Sequence, residues 1–147
     1  MKIALACDHG AFEYKEIVKK MLEDMGHSVE DFGTHGTESM DYPDTAGPCA
    51  KSVAQGKNDR GIVICGTGIG VSIVANKIKG IRCALCSDPV SARLTREHND
   101  SNVLAMGQRV LGVEIMKEIV QTWIETEFSK EKRHVCRIEK VMQLEEE

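Results

Sequence analysis

The stretch Gly61-Ile62-Val63-Ile64-Cys65-Gly66-Thr67-Gly68-Ile69-Gly70-Val71 changes character in its middle. Gly61 to Cys65 is a short apolar run closed by turn residues, the pattern of a buried strand, and Val71 to Ile78 is helical in pattern until Gly80. A strand, a glycine-rich turn and a helix in succession form the repeating unit of a parallel sheet. The rest of the chain therefore has to be read for further copies of that unit.

They are present on both sides. Lys2 to Cys7 reads as a strand, and Phe12 to Met25 as a helix with Phe12, Ile17, Val18, Met21, Leu22 and Met25 on one face and Gly26 at its end. Ser28 to Phe32 alternates like a strand, and a helix is expected from Pro43 to Gln55, weakened in its middle by Gly47-Pro48. Beyond the central unit come a strand at Ile81 to Cys86, a helix from Pro89 to His98, a strand at Val103 to Met106 and a helix at Val113 to Phe128. Ser129 to Glu147 is a charged tail with a weaker helical period through Val135, Ile138, Val141, Met142 and Leu144.

No Pro/Ser-rich linker and no repeat interrupts this alternation. The expectation is one domain over residues 1–147, an α/β fold with a mostly parallel five-stranded sheet in a Rossmann-like three-layer α/β/α sandwich. At 147 residues the chain can bury about two-thirds of its unfolded surface, so neither a metal nor a disulfide is needed for stability.

Composition excludes several classes. A net charge of -4 lacks the basic face that nucleic acid requires. The apolar start Ile3-Ala4-Leu5-Ala6 is too short for a signal segment, and no run reaches the ~18 apolar residues of a membrane span, so a cytoplasmic protein is expected. The six cysteines show neither zinc-site spacing nor the density of a secreted disulfide scaffold. Cys83 and Cys86 form a C-x-x-C, but inside a strand their odd separation sends them to opposite faces, as buried small apolar residues.

In parallel sheets ligands bind outside the carboxyl ends of the strands. There this chain places Asp8-His9-Gly10, Cys65-Gly66-Thr67-Gly68, Ser87-Asp88 and Gly107-Gln108-Arg109. An acid, a histidine, a thiol, a hydroxyl and a guanidinium on one rim have the composition of an active site.

The glycine loop is not a dinucleotide fingerprint, because the third glycine would fall at position 71, which is Val71; no P-loop and no nucleophile elbow occurs either. Converging amides at the start of a helix can bind phosphate or an oxyanion, or the loop is simply a tight turn. Cys65, at that helix N-terminus, is either a thiolate favoured by the dipole and the amides or a buried strand-end cysteine. His98, ending a helix beside Asn99, reads alone as a cap or surface residue, and His27 and His35 as solvated turn residues. Arg133, His134 and Arg137 would share a helical face, either as a solvated tail or as a phosphate clamp.

Taken together these stretches resemble the type B ribose-5-phosphate isomerases and their relatives, the galactose-6-phosphate isomerase subunits. The matching stretches include Asp8-His9-Gly10, Asp41-Tyr42-Pro43, Ile64 to Gly70 with Ser72 and Ala75-Asn76-Lys77, and Gly80-Ile81-Arg82. Arg96 to Asp100, Asn102-Val103-Leu104, Gly107 with Arg109, and Arg133-His134 with Arg137 match as well, so the resemblance covers about residues 1–140. One departure is Glu131-Lys132, where members commonly carry Gly-Gly.

The resemblance implies an aldose-ketose isomerase of the pentose phosphate pathway that interconverts ribose 5-phosphate and ribulose 5-phosphate without metal or organic cofactor. By position, Cys65 is the base between C1 and C2, Thr67 and the amides from Gly66 through Gly68 to Gly70 steady the enediolate, and His98 opens the furanose ring. Asp8, His9, Tyr42 and Asn99 would hold sugar hydroxyls, while Arg109, Arg133, His134 and Arg137 would take the phosphate. A hexose 6-phosphate isomerase (allose or galactose) is the alternative within the family, and a non-catalytic phosphate- or nucleotide-binding module the alternative outside it.

Topology adds an expectation of its own. His98 precedes the fifth strand, at the amino edge of the sheet, whereas Cys65 closes the third at the carboxyl edge, a strand length of roughly 15–20 Å away. His98 should therefore serve the Cys65 site of a second copy, making a homodimer, or a tetramer of such dimers, with shared sites. The 129–147 tail is expected to pack on that partner.

Overall fold

The computed structural model describes every residue from Met1 to Glu147. Five strands, β1 (Lys2–Cys7), β2 (Ser28–Asp31), β3 (Arg60–Cys65), β4 (Cys83–Leu85) and β5 (Val103–Gly107), form one sheet in the order β2-β1-β3-β5-β4. Every pairing is parallel. Six α-helices accompany them: α1 (Phe12–Asp24), α2 (Pro43–Ala54), α3 (Ile69–Asn76), α4 (Pro89–Asn99), α5 (Val113–Glu125) and α6 (Lys132–Gln143).

Alternation along the strands divides the core into two layers. Ile3, Leu5, Cys7, Ile62, Ile64, Leu104 and Met106 pack with residues of α1, α4 and α5 around the fully buried Trp123. On the opposite face Ala4, Ala6, Val63, Cys65, Val103 and Ala105 meet α2 and α3, and the three alanines let those helices lie close to the sheet. The three-layer sandwich read from the sequence is the fold. Cys83 packs against the second layer and Cys86 belongs to the first, the opposed faces that their spacing requires.

Most element ends shift by one or two residues from the sequence reading, as in α3, which starts at Ile69 and not Val71 and stops at Asn76 and not Ile78, and three differences have a clear physical cause. Helix α2 runs unbroken through Pro48: the proline faces solvent and forfeits one bond to the Asp44 carbonyl, while Ala46, Cys49 and Ala50 are fully buried beside it. Strand β4 is shorter than Ile81 to Cys86, because the Ile81 amide turns back to the Ile78 carbonyl and the Arg82 amide bonds the Asn102 side chain. Helix α5 stops at Glu125, since Thr126 is extended and its carbonyl accepts from Arg96 Nε at 3.1 Å.

The tail forms α6, which docks onto the end of α4 of its own chain and leaves Val141 (52% exposed) and Leu144 (64%) uncovered. No helix of the chain is long and apolar enough to cross a membrane.

Candidate active site

Strand β1 has β2 on one side and β3 on the other, so the chain leaves the middle of the sheet in opposite directions and opens a crevice beyond its carboxyl end. Asp8 and His9 follow β1 into that crevice, and the glycine loop follows β3. The Thr45 hydroxyl donates to the Cys7 carbonyl at 2.8 Å, and the Cys7 amide to the Gly33 carbonyl at 2.6 Å, pinning the end of β1. Asp8 caps the following 3-10 turn by accepting the Gly10 amide at 2.9 Å. The Met40 amide donates to His9 Nδ1 at 3.2 Å, which places the proton of the neutral ring on Nε2, a free donor.

The loop after β3 is built around the sulfur. Cys65 is 5% exposed, and its Sγ accepts the Gly68 amide at 3.0 Å, the contact that a negative sulfur strengthens. The Thr67 hydroxyl stands 4.0 Å from Sγ and accepts the Ile69 amide at 3.2 Å, opening α3. Two amides of the expected oxyanion cradle are thus committed: Gly68 to the sulfur and Ile69 to Thr67.

Close approach explains the glycines. Gly68 sits at φ 79°, and a Cβ there would lie 2.7 Å from the Met106 carbonyl carbon. A Cβ at Gly70 would come 2.8 Å from Tyr42 Cζ, so the Tyr42 ring covers the loop from one side. Arg109, whose amide bonds the Gly66 carbonyl at 2.9 Å, lays its side chain across Gly66 from the other. Asp8, His9, Tyr42, Cys65, Gly66, Thr67, Gly68, Gly70 and Arg109 therefore gather at one edge.

Burial pushes the thiols of Cys7 and Cys83 up to about 12 and that of Cys86 to about 11, and it raises Cys49 as well. All six are free.

His98, Asn99, His134 and Arg137 do not join this edge. In the β3–β5 register Gly61 faces Val103 and Cys65 faces Gly107, so α4, which enters β5 at Val103, ends about 13 Å from Cys65 along the strands. There the four residues line a second cavity of about 520 Å³ with Arg82 and Asn76. The His98 and His134 rings stack at 4.4 Å and 18°. Burial, then His98 and Arg133, hold His134 below the ordinary imidazole range, and its Nε2 is buried without a hydrogen-bond partner.

Arg133 points elsewhere: its Nε donates to Glu131 Oε2 at 2.8 Å, so the Glu131 of this chain occupies a guanidinium that the sequence assigned to phosphate. His35 is solvated as expected, whereas His27 is half-buried, with its Nδ1 2.9 Å from the amino terminus.

Sequence reasoning gave no role to Arg82 or to the buried pair of Lys15 with Asp31. Lys15 lies at helical spacing from Phe12 and Val18, inside the apolar face, and that position was the available signal. Its ammonium bonds both Asp31 oxygens at 2.8 Å.

A parallel α/β sandwich with a thiol, an acid and a donor-rich loop at its topological switch point belongs to the class of small-molecule α/β enzymes. Within that class the family is defined: residues 3–141 match the Ribose/Galactose Isomerase model, and the chain belongs to that family. It is 47% identical over 145 residues to ribose-5-phosphate isomerase B of Escherichia coli, covering 99% of this chain and 97% of that protein.

Among solved structures, ribose-5-phosphate isomerase B of Clostridium thermocellum superposes with a TM-score of 0.97 at 49% identity, covering 99% of this chain and 98% of the other. The Mycoplasma genitalium enzyme, solved with bound ribulose 5-phosphate, gives 0.95 at 35% identity, covering 99% and 97%.

Proposed function

We propose that the protein isomerises D-ribose 5-phosphate and D-ribulose 5-phosphate, and that each active site is assembled from two copies of the chain. The observation that carries the chemistry is the Gly68 amide on Cys65 Sγ: a backbone donor aimed at the sulfur supports its use as the base.

At this site His98 promotes opening of the furanose: the C1–O4 bond breaks, the O1 hydrogen is removed and O4 gains a proton. Cys65 then takes the C2 proton of the aldehyde, giving an enediolate. The same sulfur returns that proton to C1, and the O2 hydrogen is lost as O1 regains one, leaving the C2 ketone. Thr67 and the loop steady the oxygens. Asp8, His9, Tyr42 and Asn99 hold hydroxyls, and Arg109, Arg133, His134 and Arg137 hold phosphate. The galactose isomerases of the family make a hexose phosphate the second reading.

What supports a shared site is α3. Its eight residues, about 12 Å, run from the Cys65 loop at Ile69 to the His98 cavity at Asn76. Ile69 (52% exposed) and Ile73 (56%) leave an apolar stripe on its outer face, continued by Leu85 and Val90. Antiparallel packing of two α3 helices about a two-fold axis covers the stripe and sets each Cys65 loop against the partner's His98 end. The exposed Val141 and Leu144 of the tail then extend the contact. Six free cysteines suit a reducing compartment, so we place the enzyme in the cytoplasm.

A panel of ribose, allose, galactose and erythrulose phosphates tests the substrate. The pentose should exceed the others in kcat/KM by at least about 10-fold, the discrimination one carbon allows. Faster turnover of a hexose phosphate would replace this reading.

A further inference from the structure

Arg82 lies on the wall of the His98 cavity, and its guanidinium is spent chiefly on backbone carbonyls. Its Nε donates to the Asn99 carbonyl at 3.0 Å and its Nη2 to the Asp100 carbonyl at 2.8 Å, with Asp100 Oδ2 at 3.6 Å. These are the carbonyls at the C-terminal end of α4, where Asp100 adopts a left-handed conformation at φ 45°. The third arm, Nη1, reaches Met142 Sδ on α6 at 3.4 Å. One guanidinium thus holds the turn that carries His98 and Asn99 and touches the helix that carries His134 and Arg137.

Arg82 is itself fixed. Its amide donates to Asn102 Oδ1 at 2.8 Å, and Asn102 Nδ2 donates to the Gly80 carbonyl at 2.8 Å. The Gly80 amide in turn bonds Glu145 at 3.0 Å, behind α6. The planar fork meets two successive carbonyls with two of its nitrogens, which a lysine ammonium cannot reproduce.

We infer that Arg82 is a positioning residue for ring opening: it fixes His98 and Asn99 on α4 and sets the α6 ring of His134 against His98, without touching the enolisation chemistry at Cys65. This rests on the reading of His98 as the ring-opening group, and the test separates the two. Ribulose 5-phosphate, with C5 phosphorylated, has no hydroxyl for a five-membered ring and is open-chain. Exchange of its C1 hydrogen with deuterium from solvent therefore reports Cys65 alone, whereas conversion of ribose 5-phosphate also needs the ring opened.

Wild type, His98→Asn, Arg82→Met and Arg82→Lys are compared in both assays, with near-ultraviolet circular dichroism and sedimentation confirming folded assemblies. Arg82→Met should lower kcat for ribose 5-phosphate by about 30- to 100-fold, the scale of a displacement near 1 Å, with C1 exchange within about 3-fold of wild type. Arg82→Lys, which keeps charge and stem, should lose at least about 10-fold and secures the test if the methionine variant does not fold.

If His98→Asn separates the two readouts but the Arg82 variants convert ribose 5-phosphate normally, the inference fails and the His98 reading stands. Equal loss of both activities in the Arg82 variants makes the residue merely structural and also overturns it. If His98→Asn itself does not separate the readouts, the His98 reading falls, and the inference with it.

Discussion

The rings of His98 and His134 stack at 4.4 Å and 18°, one at the end of α4 and the other near the start of α6. Burial, with the neighbouring His98 and Arg133, holds His134 below the usual imidazole range. His134 thus gives the His98 ring a buried platform to rest on.

Replacing the base leaves the anchors untouched. Cys65→Ala should lower kcat by roughly 10²- to 10⁴-fold, with KM within about 3-fold, because hydroxyl and phosphate groups sit on other residues. Calorimetric titration with ribose 5-phosphate checks that binding survives; isomerisation at the wild-type rate would remove Cys65 from the mechanism.

Shared sites predict complementation. Cys65→Ala and His98→Ala subunits, each inactive, should regain about a quarter of wild-type activity after equal mixing, since half the dimers are mixed and one of their two sites is intact. Subunit exchange is followed by mass spectrometry. Mixed dimers without activity would show that each site is complete within one chain.

The buried Lys15–Asp31 pair sets a pH limit on stability. Burial raises the Asp31 carboxyl, but the Lys15 hydrogen bond, the Gly33 amide and the Lys15 charge outweigh it and hold the group below 3.8. The stabilisation is therefore full above the unfolded value of about 3.9 and disappears as pH falls through the lower folded value. Asp31→Asn should cost up to roughly 3–5 kcal/mol at pH 7, because it leaves a fully buried ammonium with only the half-exposed Glu16 at 3.3 Å, and should flatten the acid limb measured by urea unfolding. As Asp31 also holds Gly33, on which Cys7 rests, the variant should lose activity before it unfolds.

With phosphate on Arg133, as proposed, Glu131 would compete with substrate for its guanidinium. Glu131→Gln should lower KM for ribose 5-phosphate by about 2- to 5-fold with kcat unchanged, the range of an exposed ion pair, and the difference should fade in 0.5 M salt. An unaltered KM at low salt would take Arg133 out of phosphate binding.

Local patterns carried much of this. The apolar run into Cys65 and its glycines marked a strand, a turn and a helix, and the same alternation along the chain set the parallel sheet, because periodicity records which faces are buried. The Cys65 edge was legible since strand ends in such a sheet converge whatever the details of packing. That His98 lies at the far edge from Cys65 followed from chain order, while the β3–β5 register sets the separation at about 13 Å, shorter than expected.

Tertiary structure decided what depends on groups distant in sequence. That the Gly68 amide is turned onto sulfur, that Arg133 is engaged by Glu131, and that His134 rests on His98 are outcomes of backbone path and ring packing, which residue types do not encode locally. Helix α2 survives Pro48 because burial on its far face outweighs one lost hydrogen bond. Arg82 was an unassigned residue beside a strand until the end of α4 folded onto it and exposed two carbonyls for its guanidinium to satisfy. Sequence determined which chemistry the chain carries; long-range packing determined which groups are free to perform it.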